Sequence, residues 1–221
     1  MSSSFSDRLK QAADEYFWML SRDYPQTSAL KLVGDKFMLP RDMRQILYRG
    51  IVADELAQLR RKKIAAITKG DFVLIDTYNV LFTVNNYLLG RPVFISNDGM
   101  LRDAGEMRGR IINKPQFSRS VSMMLDVLQK WPEATYVHYL DEPVSHSGRL
   151  SIELCKDMVQ MGIEGDAHVV QSPDHMLKTV KSEAICTSDG GIIDNYEGKV
   201  IDLPRFLLQH FFQADIPRLI P

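Results

Sequence analysis

The segment that most constrains the fold is residues 71–82, with the sequence DFVLIDTYNVLF. Four consecutive apolar residues run directly into Asp76 and are followed by an apolar segment that is compatible with a helix. This pattern predicts a buried parallel strand that ends in a carboxylate and turns into a helix. Asp76 is therefore expected at the carboxyl end of a strand, where open α/β sheets build their binding sites.

Asp76 taken alone has two explanations, and this segment does not choose between them. A carboxylate at the end of an apolar strand is costly to bury unless something pairs with it, which favours a metal ligand. An Asp just before a helix also satisfies free N–H groups of the first turn, which favours an N-cap. Other segments of the chain have to decide between the N-cap explanation and the metal-ligand explanation.

Length and composition restrict the class of protein. A chain of 221 residues with 45% hydrophobic residues can form one large domain or two small ones with a genuine core. Its apolar runs are shorter than the roughly 20 residues of a membrane span, and residues 1–7 lack a signal-peptide pattern. We therefore expect a cytoplasmic protein with no membrane partner. The two cysteines, Cys155 and Cys186, are expected to be buried free thiols.

Charge is distributed unevenly along the chain, although the formal net charge is only −1. Residues 1–70 contain 13 Lys and Arg against 8 Asp and Glu, whereas residues 71–221 contain 14 against 20. A basic segment beside an acidic one suits a grip on a phosphate backbone next to a cation-binding centre, although surface charge also serves solubility. We predict a basic helical N-terminal domain at 1–68 and a second domain at 69–221.

Amphipathic patterns predict that the N-terminal domain is all-helical. The predicted helices are residues 7–22, residues 29–33 up to an interruption at Gly34, and residues 41–63 with a weak point at Gly50. The last helix ends in the basic run 60–63, for which helix capping and solvation compete with nucleic-acid contact.

Strand-like and helix-like segments alternate over the rest of the chain. Strands are predicted at residues 72–75, 93–96, 136–140, 167–170, 184–187 and 200–203. Helices are predicted at residues 80–89, 117–130, 149–161 and 204–213, with a short helix after Pro173. This alternation predicts an α/β fold with a parallel, doubly wound sheet and helices on both faces.

Two further predicted strands end in an Asp, as the first one does. Asp141 and Asp189 each follow a strand, and Asp174 begins a short helix after another strand. Parallel strands bring their carboxyl ends to one edge of the sheet, so these acids are expected to converge on Asp76. Clustered carboxylates repel each other, and a divalent cation relieves that repulsion. All-oxygen ligands favour Mg²⁺ or Mn²⁺, and the histidines lack the paired spacing of a zinc site.

Competing motifs are absent from the sequence. It has no P-loop, no G-x-G-x-x-G dinucleotide motif and no G-x-S-x-G nucleophile elbow. An aspartyl nucleophile of the phosphatase type would be followed two residues later by a second Asp, and the residue two after Asp76 is Tyr78. Covalent nucleophilic chemistry is therefore disfavoured.

Three segments resemble motifs of PIN-like and NYN-type ribonucleases, in the same order and over residues 70–205. Residues 75–81 (IDTYNVL) resemble the opening I-D-G-x-N-(V/L) signature, with Thr77 in place of the usual Gly. Residues 173–177 (PDHML) resemble a later helix start, and residues 187–194 (TSDGGIID) resemble the closing T-S-D-x-x-I segment. The resemblance implies a PIN-like sheet for the second domain.

A closer similarity is to an uncharacterised prokaryotic family that joins a short helical domain of unknown function to a PIN-like domain. The residues that carry it are 90–94 (GRPVF), 98–103 (DGMLRD) and 141–150 (DEPVSHSGRL).

The resemblance assigns roles to the acidic residues. It implies that Asp76, Asp174 and Asp189 bind the metal, that Asp141 ends the intervening strand as in the NYN branch, and that Asn79 orients the first acid or the phosphate. The second-tier candidates are Asp98, Asp103 and Asp194, since Asp is also selected in turns for backbone reasons.

Phosphate contacts are expected at a helix start and from basic side chains. Ser145, Ser147 and Arg149 lie where free N–H groups and a guanidinium suit a phosphate, with ordinary N-capping by Ser147 as the alternative. The RNA strand is expected to contact the basic N-terminal helices and Arg102, Arg108 and Arg110.

The resulting expectation is an enzyme that hydrolyses phosphodiesters with Mg²⁺ or Mn²⁺, in the first place an endoribonuclease acting on RNA. Two alternatives stay open: a catalytically inactive PIN-like module that binds RNA or docks proteins, and a phosphatase or nucleotidase for small phosphate esters. Assembly into a homo-oligomer is also open.

Overall fold

The computed structural model describes residues 5–105 and 115–220. Its contacts divide the chain into two compact units. The first combines Met1–Lys62 with Gly90–Glu106 and Ala214–Pro221, and the second combines Lys63–Leu89 with Met107–Gln213. Compact units of this kind need not coincide with domains, so the domain limits 1–68 and 69–221 stay a prediction.

The elements follow one another as ten helices and seven strands within the described residues. In chain order they are α1 (Asp7–Leu20), α2 (Gln26–Lys36), α3 (Arg41–Gly50), α4 (Asp54–Lys63), β1 (Phe72–Asp76), α5 (Thr77–Leu88), β2 (Val93–Ile95), β3 (Leu101–Asp103), α6 (Pro115–Leu128), β4 (Thr135–Asp141), α7 (Ser147–Met161), β5 (Gly165–Val170), α8 (Pro173–Thr179), β6 (Ala184–Cys186), α9 (Gly190–Asp194), β7 (Lys199–Val200) and α10 (Leu203–Phe212).

The second unit is built on a five-stranded parallel sheet with the order β5-β4-β1-β6-β7, flanked by helices. The predicted α/β class, the parallel sheet and the helical N-terminal region are therefore confirmed. Strand β1 lies in the middle, and its residues Val73, Leu74 and Ile75 are fully buried. The chain moves from β1 to β4 and β5 on one side and then returns to β6 on the other side. The carboxyl ends of β1 and β6 thus flank the point where the strand order reverses, which is where open α/β sheets bind ligands.

The strand predicted at 93–96 does not belong to this sheet, which corrects the sequence-based topology. Residues 93–95 form β2, which pairs antiparallel with β3 in the first unit. The two strands are joined by a tight turn in which Gly99 adopts a φ of +87° and Ser96 N–H donates to the Met100 carbonyl. Such a short connection allows only an antiparallel pair, because parallel neighbours need a crossover of a dozen or more residues.

Gly34, predicted to interrupt a helix, does not do so, whereas the weak point predicted at Gly50 is where the helix ends. Helix α2 runs through Gly34, and the guanidinium of Arg44 lies so close to this position that a Cβ atom there would overlap it. The helix predicted at 41–63 instead ends at Gly50, where a Cβ atom would press on Leu219 and Phe94. Both glycines therefore serve close packing, which local sequence patterns do not reveal.

Both cysteines are free. Cys186 is buried in β6 as predicted, whereas Cys155 on α7 is only partly buried and its Sγ donates to Asp166. Within the described parts of the chain, no helix has the length and apolar character needed to cross a membrane.

A buried ion cluster joins α4 to the β2–β3 hairpin in the first unit. The carboxylate of Asp98, 1% exposed, accepts hydrogen bonds from Arg60 Nη1 at 3.0 Å, from Arg102 Nη2 at 2.6 Å and from the Ser96 hydroxyl. Burial raises the pKa of Asp98, but the Arg102 charge and these hydrogen bonds outweigh it and lower the pKa to about 2. Asp98 therefore stabilises the fold as a carboxylate.

We expect Asp98→Asn to lower the free energy of unfolding by about 3–5 kcal/mol, because it removes the carboxylate charge to which two buried guanidiniums donate. The exposed pair of Asp35 with Arg44 is the matched control, and Asp35→Asn should cost less than about 1 kcal/mol. Urea unfolding measures both. Because the pKa of Asp98 is depressed, its contribution should be complete above about pH 4 and decline towards pH 2. Equal losses for the two variants would contradict this account.

Candidate functional site

Asp76 occupies the junction of β1 and α5 and acts as the N-cap of that helix. Its Oδ1 accepts a hydrogen bond from the backbone N–H of Asn79 at 3.4 Å, and its Oδ2 accepts one from the Thr187 hydroxyl at 3.0 Å. The residue is only 6% exposed. One carboxylate oxygen therefore caps the helix while the other faces the end of β6.

The charge of Asp76 is poorly compensated. Burial raises its pKa to about 7, the hydrogen bond from Thr187 opposes that rise, and the negative charges of Asp141 and Asp174 add to it. Its partners among the described residues are the Thr187 hydroxyl and the Asn79 N–H, and no Lys, Arg or His pairs with it. A buried carboxyl whose pKa is strongly raised beside other acids marks this position as a candidate functional site.

The sheet itself brings Asp141 towards Asp76. Asp76 pairs with Tyr139 in the parallel register of β1 and β4, and Asp141 comes two residues further along β4. Side chains two residues apart point to the same face of a sheet, so Asp141 and Asp76 share a face. Asp174 lies in the exposed first turn of α8, which follows β5, the strand next to β4.

The end of β6 is attached to the start of α5 by side-chain hydrogen bonds. The Asn79 Oδ1 accepts from Ser188 N–H at 2.8 Å and from the Ser188 hydroxyl at 2.9 Å. The Asp189 N–H donates to the Thr187 hydroxyl oxygen at 3.2 Å, and that hydroxyl in turn donates to Asp76. Thr187 therefore links the backbone of Asp189 to the Asp76 carboxylate.

The predicted convergence of the acids is seen to different degrees. Asp141 and Asp174 lie within electrostatic range of Asp76. The exposed Asp189 caps α9, with its Oδ1 accepting from Ile192 N–H at 3.1 Å. Across residues 5–105 and 115–220, no three His, Cys, Asp or Glu side chains already stand close enough together to hold a metal ion.

The side chains expected to bind phosphate divide between interior and surface. The Ser147 hydroxyl is buried, where it contacts the Tyr78 hydroxyl at 2.8 Å and donates to the carbonyls of Asp141 and Val144. Arg149 is exposed beside a cleft of about 510 Å³ between α6 and α7, and its Nε donates to Glu153. Ser145 is exposed as well.

The remaining candidates lie elsewhere. Arg102 and Asp98 are buried together in the first unit, and Asp103 is buried near Arg49, 3.8 Å from its Nη2. Asp194 ends α9. Arg108 and Arg110 lie outside the described residues.

Sequence reasoning gave no individual role to Thr187, Ser188 or His138. The first two could have been found as polar residues that directly follow an apolar strand. His138 is fully buried on β4, and its Nδ1 lies 3.2 Å from the Thr77 hydroxyl. Burial lowers the pKa of His138 to about 4, so its ring is neutral.

We expect Asp76→Asn to stabilise the metal-free protein, and to do so more at high pH. The folded-state pKa of Asp76 lies above that of an unfolded Asp, so its contribution to stability is present at low pH and is lost between about pH 4 and 7. In EDTA, the stability gap between variant and wild type should widen by up to about 2.5 kcal/mol from pH 5 to pH 8.

Urea unfolding at the two pH values measures this gap. Asp126→Asn is the matched control, since Asp126 is exposed and its carboxylate is solvated in both states. A gap for Asp76→Asn that is the same at both pH values would mean that Asp76 is not a destabilised carboxylate.

Comparison with known proteins places the chain among proteins of unknown function. The family model described as "Domain of unknown function (DUF5616)" matches residues 65–206, and "Protein of unknown function (DUF434)" matches residues 8–63. "Uncharacterized protein MJ0935" of Methanocaldococcus jannaschii is 27% identical over 198 residues, which cover 88% of this chain and 94% of that protein. No solved structure matches significantly. Because the first family model covers more than half of the sequence, the chain belongs to the DUF5616 family.

Proposed function

We propose that the chain is a PIN-like, metal-dependent phosphodiesterase, and specifically an endoribonuclease. One observation carries the proposal: the buried Asp76 lies at the point where the strand order reverses. The negative charges of Asp141 and Asp174 act on it, and it has no cationic partner among the described residues. Substrate sites of open α/β sheets form at this point. The ordered motifs at residues 75–81, 173–177 and 187–194 support the PIN-like assignment.

The acidic residues fit a divalent cation by their chemistry. Asp76, Asp141, Asp174 and Asp189 would hold it, since they offer the oxygen donors that Mg²⁺ and Mn²⁺ prefer. When bound, the ion supplies charge neutralisation at the phosphate and activation of water. The raised pKa of Asp76 supports the same proposal, because a bound cation would favour the ionised form of this carboxyl.

The chain's own residues supply the positioning. Thr187 and the N–H of Asn79 fix both oxygens of the Asp76 carboxylate, and the Asn79 amide fixes Ser188. These bonds join the two strand ends that flank the proposed site. A carboxylate held on both oxygens needs little rearrangement when substrate arrives, which is the condition for a preorganised centre.

Binding of RNA is expected to depend on exposed cations. Within the basic run 60–63, Arg60 is buried in its ion pair with Asp98, and Lys63 donates to the Ile193 carbonyl at 2.7 Å. Arg61 and Lys62 are exposed. Arg61 donates to the Asn97 carbonyl at 2.8 Å, so Lys62 is the better placed of the two to contact a phosphate. Such contacts are independent of sequence and weaken with salt.

A second candidate is a module that binds RNA or docks a protein without catalysis. It is favoured by the spacing of the acids, since no three metal-ligating side chains of the described residues already stand together. This candidate predicts binding that is indifferent to EDTA and to Asp76→Asn.

We expect Asp76→Asn to abolish Mn²⁺-dependent cleavage of labelled RNA, because it removes the carboxylate charge at the centre of the acidic cluster. Purified full-length protein is incubated with single-stranded RNA, structured RNA, single-stranded DNA and nucleotides, in Mn²⁺ or in EDTA. Loss of one catalytic carboxylate should lower the rate by at least about 100-fold. Circular dichroism checks that the variant is folded.

The control is Glu164→Gln, which changes an exposed acid just before β5 and should cleave as the wild type does. Full metal-dependent cleavage by Asp76→Asn would refute the proposed catalytic centre. Hydrolysis of nucleotides without any cleavage of RNA would identify a nucleotidase instead.

A further inference from the structure

Helix α10 keeps aromatic rings at the surface after its inner face has been buried. Its buried residues are Leu203, Pro204, Leu207 and Leu208. Phe206 and Phe211 of the same helix stay 39% and 38% exposed, and His210 is exposed too. Large exposed rings in a cluster mark an interaction surface rather than ordinary surface composition.

The rings of this cluster contact one another in series. The Trp131 and Phe206 centroids are 5.2 Å apart, Phe206 and His210 lie 6.3 Å apart with planes only 15° from parallel, and His210 meets Phe211 edge-on at 4.8 Å. We call Trp131, Phe206, His210 and Phe211 the aromatic surface. Trp131 and Phe206 also line an apolar cleft of about 270 Å³ between residues 64–67 and α10.

Positive charge accompanies the aromatic surface. Lys130 places its Nζ 3.2 Å from His210 Nδ1, and Arg205 lies on the rim of the apolar cleft. Residues 203–213 contain no Asp or Glu. Asp202, which caps α10 and lines the same cleft, is buried, so the exposed rings have Lys130 and Arg205 beside them. Exposed rings with cations beside them are complementary to a polyanion that carries flat, apolar groups.

We infer that the aromatic surface is a stacking platform for the bases of single-stranded RNA. The inference rests on the proposed function, which makes RNA the substrate, and it adds a binding site remote in sequence from Asp76. Stacking on Phe206 and His210 would hold unpaired bases whatever their sequence, because every base has a π-face. Lys130 and Arg205 would meet the phosphates between them.

Binding is measured in EDTA, so that RNA is not cleaved, with a short single-stranded RNA that contains the fluorescent base 2-aminopurine. The wild type should quench its fluorescence by stacking, and Phe206→Leu with His210→Ala should weaken binding by about ten-fold or more. Phe206→Trp should retain binding, because tryptophan keeps an aromatic face on which a base can stack. The leucine of Phe206→Leu is apolar but has no such face. Ile152→Ala, an exposed apolar residue of α7, is the control and should bind as the wild type does.

Catalysis is followed separately with bis(p-nitrophenyl) phosphate and Mn²⁺, a substrate too small to need the platform. The aromatic variants should hydrolyse it at the wild-type rate.

If Asp76→Asn remains fully active while the aromatic variants no longer bind RNA, the proposed function fails and the platform stands. Wild-type RNA affinity in the aromatic variants overturns the platform. A dimer that these variants dissociate, with RNA binding unchanged, identifies a self-association surface and overturns it as well.

Discussion

One buried carboxylate, that of Asp76, lies at the centre of the carboxyl edge of the five-stranded sheet. Asp76 ends the central strand, caps α5 and lies where the strand order reverses, and it is only 6% exposed there. Water is replaced by the Thr187 hydroxyl and the Asn79 N–H, which satisfy its oxygens without cancelling its charge. The ends of β1 and β6 are held together by this arrangement.

The N-cap role of Asp76 is shown by the structure and does not exclude the proposed ligand role. A carboxylate has two oxygens, and in Asp76 one satisfies the helix while the other accepts from Thr187. Capping alone does not explain why this residue is an Asp, since Asn or Ser would serve as an N-cap equally well. The choice of a charged residue where burial raises its pKa to about 7 is what points to a function.

Asp98 shows what a buried carboxylate looks like when the protein supplies its own cations. Arg60 and Arg102 neutralise it, and its pKa falls to about 2, whereas Asp76 has acidic neighbours and a pKa of about 7. The difference lies in the surroundings and not in the residue type. The fold therefore neutralises the charge of Asp98 with its own arginines. The charge of Asp76 is instead suited to a cation supplied by a ligand.

The sequence by itself determined the elements whose signals are local: the helical N-terminal region, the alternation of the second unit, and the acids at the strand ends. Parallel topology then brought Asp76 and Asp141 to one edge. The tertiary structure alone decided the pairing of β2 with β3, the burial of Arg102 and Ser147, and the Asn79–Ser188 bonds. These depend on contacts between distant residues, such as Asn79 and Ser188, and hydrophobic periodicity records only which face of a segment is buried.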